Sequence, residues 1–213
     1  MSTPLRAPTV EPWIVPGSRE TALPFPLRVR RGRLEYADET SADRTPSGVL
    51  LHRGLRSLPE GRRGRPRYQL VHPARQRAAM LDNLCQICGG PASVVPELGG
   101  TLFLLIGHDT RAEGAITLRP PLCAGRRCAR AAVEECHEIQ RRGHTAVRVR
   151  SPLVYGYSGR IHAPGPFGRP VYRGEDLTLP PGHARSRWLL AATVAVRLQD
   201  CTPVDLAAER RAA

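Results

Sequence analysis

The sequence contains no lysine, and its positive charge is carried entirely by arginine. The 32 basic residues outnumber the 19 acidic ones, so that the formal net charge is +13 and the pI is near 10.8. A genome rich in G and C accounts for the use of arginine in place of lysine, but not for the excess of cations over acids. A field this positive favours an acidic partner, either nucleic acid or an acidic protein.

Long apolar runs and a secretory signal are missing as well. The longest apolar run, Leu102 to Ile106, is far shorter than the ~20 residues that a membrane-spanning helix needs. Residues 1–6 have no apolar stretch of the kind found in signal peptides. We therefore expect a cytoplasmic protein with no membrane association, in which the thiols stay reduced.

Aromatic residues are scarce, whereas glycine and proline are abundant. Aromatic residues make up 5% of the chain, and there are 20 glycines and 21 prolines. This composition indicates a modest core with many irregular loops. We expect an α+β protein in three parts: a basic, loop-rich and poorly ordered N-terminal arm (1–67), a zinc-binding core (68–145), and short strands with a C-terminal helix packed on that core (146–213).

Local patterns predict the elements of this fold. Pro73 suits the first turn of a helix over 74–84, and the segment from Cys128 to Gly143 has a helical apolar face. Alternating or continuous apolar stretches predict strands, and clusters of proline and glycine predict loops. The remaining predictions are an edge strand at 28–36, a strand pair at 101–106 and 115–118, strands at 146–150 and 153–161, a loop at 163–182 and a final helix at 184–199.

Four of the six cysteines have the spacing of a metal site: C-x2-C, then 34 residues, then C-x4-C, at Cys85, Cys88, Cys123 and Cys128. A Gly-Gly turn after the first pair frees backbone amides for the thiolates, and the start of a helix favours thiolates at the second pair. Zinc takes four such ligands in closed structural sites. The spacing predicts one structural Zn²⁺. An iron–sulfur cluster uses the same ligands, and four unrelated buried thiols are the third interpretation.

Residues 85–142 resemble treble-clef zinc fingers, in which a knuckle, a hairpin and a helix follow one another. The C-x4-C pair is wider than the usual C-x2-C, so Cys136 stays open as a ligand in place of Cys128. A longer set of segments is similar to zinc-binding proteins of high-G+C bacteria, which implies a shared fold and a zinc site but no activity. These segments are 72–77, the Cys85 knuckle, 120–123, Cys136–His137 and 198–202.

Two groups of arginines are candidates for nucleic-acid binding. One lies in a loop rich in glycine and proline, and the other adjoins the second cysteine pair, where it would also offset the charge of a zinc tetrathiolate. Few aromatic residues lie near them in the sequence, so we expect binding to be mainly electrostatic. The candidate residues are Arg62, Arg63, Arg65 and Arg67 in the loop, and Arg126 and Arg127 beside the cysteines.

Enzymatic activity is left open, but the familiar motifs are incomplete. Cys136 and His137 are neighbours in the predicted helix and diverge by about 100°, so they cannot act as nucleophile and base. Neither the histidine pattern of an HNH nuclease nor that of a zinc deaminase is present. The favoured function is a zinc-stabilised, non-catalytic protein that binds nucleic acid. The alternatives are an interaction module for an acidic protein, and an enzyme or enzyme accessory with a pocket beside the zinc core, lined by Tyr155, Tyr157, Arg160 and His162.

Overall fold

The computed structural model describes residues 9–24, 26–92, 99–108, 111–123 and 126–206. These residues form an α+β fold, as predicted, and none of their helices has the length and hydropathy needed to cross a membrane. In chain order the elements are β1 Leu27–Arg30, β2 Arg33–Tyr36, β3 Leu50–Leu51, α1 Pro73–Leu81, β4 Thr101–Ile106, β5 Ile116–Thr117, α2 Arg126–Glu135, α3 His137–Arg142, β6 His144–Pro164, β7 Pro170–Leu179 and β8 Leu189–Pro203.

Strands β6 and β8 form the long antiparallel centre of the main sheet, paired from Val147 with Pro203 to Ile161 with Leu189. The outer strands are short and are placed at different ends of this pair. β4 and β7 flank opposite ends of β6, whereas β3 and β5 flank β8. The sheet therefore has two ends with different neighbours, and β1 and β2 form a separate hairpin.

Strand β4 is buried on both faces. Leu102 and Leu104 belong to the apolar cluster that contains Cys85 and Cys128, while Phe103 and Leu105 belong to a second cluster with Met80 of α1. Successive side chains of a strand point to opposite faces, so a strand covered on both sides reads as a continuous apolar run. This explains the uninterrupted apolar sequence at 102–106.

Helix α1 packs against β8 and completes its open edge. Among the described residues no strand pairs with the edge of β8 between β3 and β5, and the side-chain amide of Gln76 takes that place. Its Nε2 donates to the carbonyl oxygens of Val194 and Leu118, both at 2.9 Å, and its Oε1 accepts from the Val194 amide at 2.9 Å. A buried glutamine thus satisfies backbone groups that a strand would otherwise pair.

The described part of the predicted N-terminal arm packs on the rest of the protein. β3 joins β8 in parallel, and the β1–β2 hairpin lies over Leu50 and Leu190. The arginine-rich loop is held by backbone hydrogen bonds to 16–19, including Ser18 N to Arg65 O and Arg67 N to Pro16 O, both at 2.8 Å. Residues 1–8 lie outside the described residues.

A buried ion pair joins this N-terminal segment to α1. The carboxylate of Glu20 is fully buried, pairs with Arg75, and accepts the amides of Gly17 at 2.8 Å and Leu58 at 2.9 Å. Arg75 also donates to two backbone carbonyls of the N-terminal segment, at 3.0 and 3.1 Å. Burial acts to raise the pKa of Glu20, but the two amides and the Arg75 guanidinium outweigh it, so that the pKa is lowered.

Two predictions for the C-terminal region are wrong. The segment expected to be a helix at 184–199 is a 3₁₀ turn, Ala184–Trp188, followed by β8, and the predicted loop at 163–182 contains β7. The apolar residues of 189–198 fit a helical face, but Ala191, Val194 and Leu198 are fully buried too. Burial on both sides of the segment is the property of a central strand.

Two predictions for the region around the cysteines also need correction. β4 and β5 do not pair with each other, because β4 pairs with β6 and β5 with β8. The helix expected from Cys128 to Gly143 is interrupted at Cys136, whose backbone is extended (φ −79°, ψ 107°) and caps α3. Cys136 and His137 therefore do not lie within one continuous helix.

Replacing Glu20 by Gln tests the buried ion pair. At neutral pH we expect the free energy of unfolding to fall by about 3–5 kcal/mol, because Arg75 is left buried without a counter-charge. Since the pKa of Glu20 is lowered from 4.5, the contribution of the carboxylate is complete above that pH and is lost as the pH falls through the folded-state pKa. The difference in the free energy of unfolding between wild type and Glu20→Gln should therefore become smaller in acid.

Urea unfolding at a series of pH values measures this difference, with Glu60→Gln as a control at an exposed carboxylate. Two results would contradict this account of the ion pair: a small difference in the free energy of unfolding at neutral pH, or a difference that is as large well below pH 4 as it is at pH 7.

Candidate metal centre

The first cysteine pair lies in a tight turn between α1 and β4. The Cys85 amide donates to the Gly90 carbonyl at 2.7 Å, and the Gly89 amide donates to the Cys85 carbonyl at 2.8 Å. Gly89 has a φ of +72°, and a Cβ at this position would lie 2.7 Å from the Trp13 ring. Only glycine accommodates both the left-handed backbone and the packed indole.

Backbone amides of this turn point at its sulfur atoms. The amides of Cys88 and Ile87 within the turn donate to the sulfur of Cys85, as does the amide of Cys123 from the segment before α2. The amide of Gly90 donates to the sulfur of Cys88. Such hydrogen bonds stabilise thiolates, and their donors are in place because the turn presents consecutive amides to one side. This is the arrangement that the Gly-Gly turn predicts.

The second pair is brought to the turn by the segment that precedes α2. The Leu122 amide donates to the Leu102 carbonyl at 2.9 Å, and the Gln86 amide donates to the Pro121 carbonyl at 3.0 Å. The Gln86 side chain also donates to the Pro120 carbonyl at 2.9 Å. These bonds fix Cys123 beside the turn, and Cys128 follows in the first turn of α2. Residues 124–125 lie outside the described residues.

The four predicted cysteines come together. Their Sγ atoms all lie within 4.8 Å of one another. Four sulfurs at the zinc–sulfur distance of about 2.3 Å from one ion would be roughly 3.8 Å apart, so small shifts suffice to bind a metal. Cys85 and Cys128 are buried, Cys123 is half-buried and Cys88 is exposed. The cluster could therefore hold a metal ion at the edge of the core.

The acidities of these thiols show why a cation fits here. Burial raises the pKa of Cys85 to about 11 and also raises that of Cys128, where the neighbouring sulfurs add to the effect. For Cys88 burial acts in the same direction, but the Gly90 amide and the other three thiols outweigh it and lower the pKa. Four neighbouring thiols cannot all ionise alone, and a divalent cation removes this conflict.

The other two cysteines are not part of the cluster. Cys136 is half-buried against the same apolar core, and Cys201 lies on β8. Burial and the nearby Glu113 carboxylate raise the pKa of Cys201 to about 11. Neither forms a disulfide, and the described cysteine cluster contains Cys128 and not Cys136.

The candidate arginines differ in their exposure. Arg62, Arg65, Arg67 and Arg127 are exposed, whereas Arg63 is buried and its Nε donates to the Leu58 carbonyl at 3.2 Å. The Nε of Arg63 is thus used within the loop. The side chain of Arg126 lies outside those described.

The side chains of the predicted enzyme pocket contact residues outside that set, and Arg160 and His162 share Tyr172. The Arg197 guanidinium lies 4.9 Å from the centre of the Tyr155 ring, the Arg160 guanidinium lies 5.4 Å from that of Tyr172, and Tyr157 packs in the core. Residues 157–162 lie in the part of β6 that pairs with β7, whereas β4, which packs beside the cysteines, pairs with the opposite end of β6. A pocket beside the metal site remains a prediction.

Sequence reasoning missed two residues that shape this centre, Trp13 and Gln86. Trp13 packs on Gly89, and its amide donates to the Ile87 carbonyl at 2.8 Å. Gln86 lies between the two cysteines of the first pair and binds the segment that carries Cys123. A glutamine inside a C-x2-C motif is the only signal in the sequence for the role of Gln86 in binding the segment that carries Cys123.

Comparison of the chain with family models, with curated proteins and with solved structures gives no match. The predicted resemblance to treble-clef fingers therefore depends on the knuckle and on the helix that carries Cys128. The hairpin between them is replaced by strands that pair with β6 and β8.

Two alanine variants test the ligand set. Cys128→Ala should lose the metal ion, because it removes one of the four converging sulfurs. Cys136→Ala should keep one ion per chain and cost at most a few kcal/mol of stability through a small cavity. Metal content is measured by elemental analysis after gel filtration. Loss of metal from Cys136→Ala with retention in Cys128→Ala would overturn the assignment.

Proposed function

We propose that Cys85, Cys88, Cys123 and Cys128 hold one structural Zn²⁺. Four thiolates leave no open coordination position, which is the pattern of structural and not of catalytic zinc sites. The amides that point at Cys85 and Cys88 would share the negative charge of the tetrathiolate. The ion would link the turn after α1, the segment before α2 and α2 itself, so that metal binding would contribute directly to folding.

Elemental analysis of the purified protein tests the identity of the metal. We expect a colourless protein with one zinc per chain, and tetrahedral thiolate bands in the visible spectrum after exchange with cobalt. A brown protein that contains iron and acid-labile sulfide would indicate an iron–sulfur cluster instead. A stable, folded protein without any metal would remove the zinc proposal.

We propose that the zinc-stabilised chain is a non-catalytic cytoplasmic protein that binds nucleic acid through arginine. The observation that carries this proposal is the set of exposed guanidinium groups with no carboxylate partner among the described residues, at Arg62, Arg65 and Arg67, in a chain of net charge +13. Phosphate groups of a nucleic acid would supply the negative counter-charge for these guanidinium groups.

The arginine loop is better suited to phosphate than a flexible tail. Its backbone is held by 16–19, and Arg67 also donates to the Ser18 carbonyl at 3.1 Å. The side chains therefore project from an anchored loop, which reduces the entropy lost on binding. Arg127 would add to this surface, but it adjoins a zinc tetrathiolate of net charge −2, which offsets its field.

A salt titration with a matched charge control tests nucleic-acid binding. The variant Arg62→Gln/Arg65→Gln/Arg67→Gln should bind a labelled duplex more weakly. The slope of log affinity against log salt should become shallower by about 0.9 for each phosphate that the variant no longer neutralises. The control is Arg130→Gln/Arg142→Gln/Arg185→Gln, which removes the same charge from arginines already paired with Glu134, Glu138 and Glu175.

The control separates the effect of the three loop arginines from the effect of lowering the total charge of the protein. Equal effects of the two variants would mean that the loop has no special role. Failure of the wild type to bind duplex or single strand at about 50 mM salt would remove the nucleic-acid proposal, and an acidic protein partner would take its place.

A further inference from the structure

Two hairpin turns lie side by side at the end of the sheet away from the cysteines. The β1–β2 turn consists of Arg31 and Gly32, and the β6–β7 turn runs through Phe167 and Gly168. A Cβ at Gly168 would lie 3.9 Å from the carbonyl oxygen of Val29, which places the β6–β7 turn against strand β1, two residues before the β1–β2 turn. Neither turn takes part in the metal site or in the arginine loop.

Both turns hold a large side chain in the left-handed region of the backbone. Arg31 has a φ of 52° and Phe167 a φ of 55°, where glycine or asparagine is the ordinary choice. Phe167 is also 100% exposed, so its ring makes no contribution to the core. An apolar ring at a strained position with no role in folding is the kind of feature found at binding sites.

Three arginines lie in or next to these two turns. Arg30, Arg31 and Arg169 are exposed and form no ion pair within the part of the chain that the structure describes. The acidic side chains of the two hairpins are already engaged: Glu35 with Arg28 at 2.8 Å, Glu175 with Arg185 at 2.6 Å, and Asp176 as acceptor from the Tyr172 hydroxyl at 3.0 Å.

We propose that this hairpin-tip surface, formed by Arg30, Arg31, Phe167 and Arg169, binds single-stranded nucleic acid. Phe167 stacks on an unpaired base, and the three arginines neutralise the adjacent phosphates. The inference rests on the proposed nucleic-acid function and adds to it a preference for single strands, since a duplex does not expose base faces to a ring. One phenylalanine among three arginines is too little apolar surface to anchor the protein in a membrane.

The stacking interaction is tested with Phe167→Asn. Asparagine tolerates the left-handed region, so the turn should persist and the melting temperature should stay level or rise. Affinity for a labelled oligothymidine of about 15 nucleotides should fall roughly 5- to 150-fold, the range for loss of one stacked base. Affinity for a duplex of equal length should not change. Leu153→Thr, at a side chain 51% exposed elsewhere on β6, is the control.

The phosphate interactions are tested with Arg30→Gln/Arg31→Gly/Arg169→Gln, in which glycine suits the backbone at position 31. For binding of this variant to the single strand, the slope of log affinity against log salt should be shallower than that of the wild type by about 0.7 for each phosphate released. The inference is overturned if Phe167→Asn binds the single strand as tightly as the wild type, or if it loses equal affinity for the single strand and the duplex. It is also overturned if the wild type binds anionic lipid vesicles and Phe167→Asn abolishes that binding.

The two proposals fail in distinguishable ways. If the wild type binds neither nucleic acid, the proposed function is wrong and the inference falls with it. If the wild type binds and only the arginine-loop variant is impaired, the proposed function stands and the hairpin-tip surface is refuted.

Discussion

The convergence of four thiols on one point is the constraint on which this end of the molecule depends. The cysteines come from a turn, an irregular segment and a helix, and their sulfurs lie within 4.8 Å of one another. The apolar cluster around them includes small residues such as Ala129, Ala132 and Ala146, which bury little surface. A metal ion bound by these thiols would supply much of the stability of such a core, typically ~10 kcal/mol or more in small zinc domains.

Arginine serves two separate purposes in a chain without lysine. Buried guanidinium groups connect parts of the fold. Arg75 joins the N-terminal segment to α1 through its ion pair with Glu20, and Arg63 donates to the Leu58 carbonyl within its own loop. A planar guanidinium with five donors can satisfy several backbone carbonyls at once, which a lysine cannot do. Exposed arginines that form no ion pair within the described residues make up the arginine loop and the hairpin-tip surface. The same composition thus stabilises the fold and produces its basic surfaces.

Local spacing predicted the cysteine cluster, α1 and β4, because each is determined by residues close in sequence. Strands β7 and β8 could not be recognised in this way. The segment 184–199 fits a helical face when considered alone, and only burial by neighbours distant in sequence makes it a central strand. The role of Gln76 at the edge of β8 was likewise hidden, since Val194 is 118 residues away. Phe167 lay in a predicted loop, far in sequence from Arg30 and Arg31.

The central claim is that metal binding holds the cysteine end of the fold together. Hydrogen exchange measured by mass spectrometry, with and without a strong zinc chelator, tests it most directly. We predict that chelation removes protection from 85–90, β4, α2 and the packed segment around Trp13, because these elements are joined through the four sulfurs. Protection of these segments that is unchanged when the metal has been removed would contradict the account.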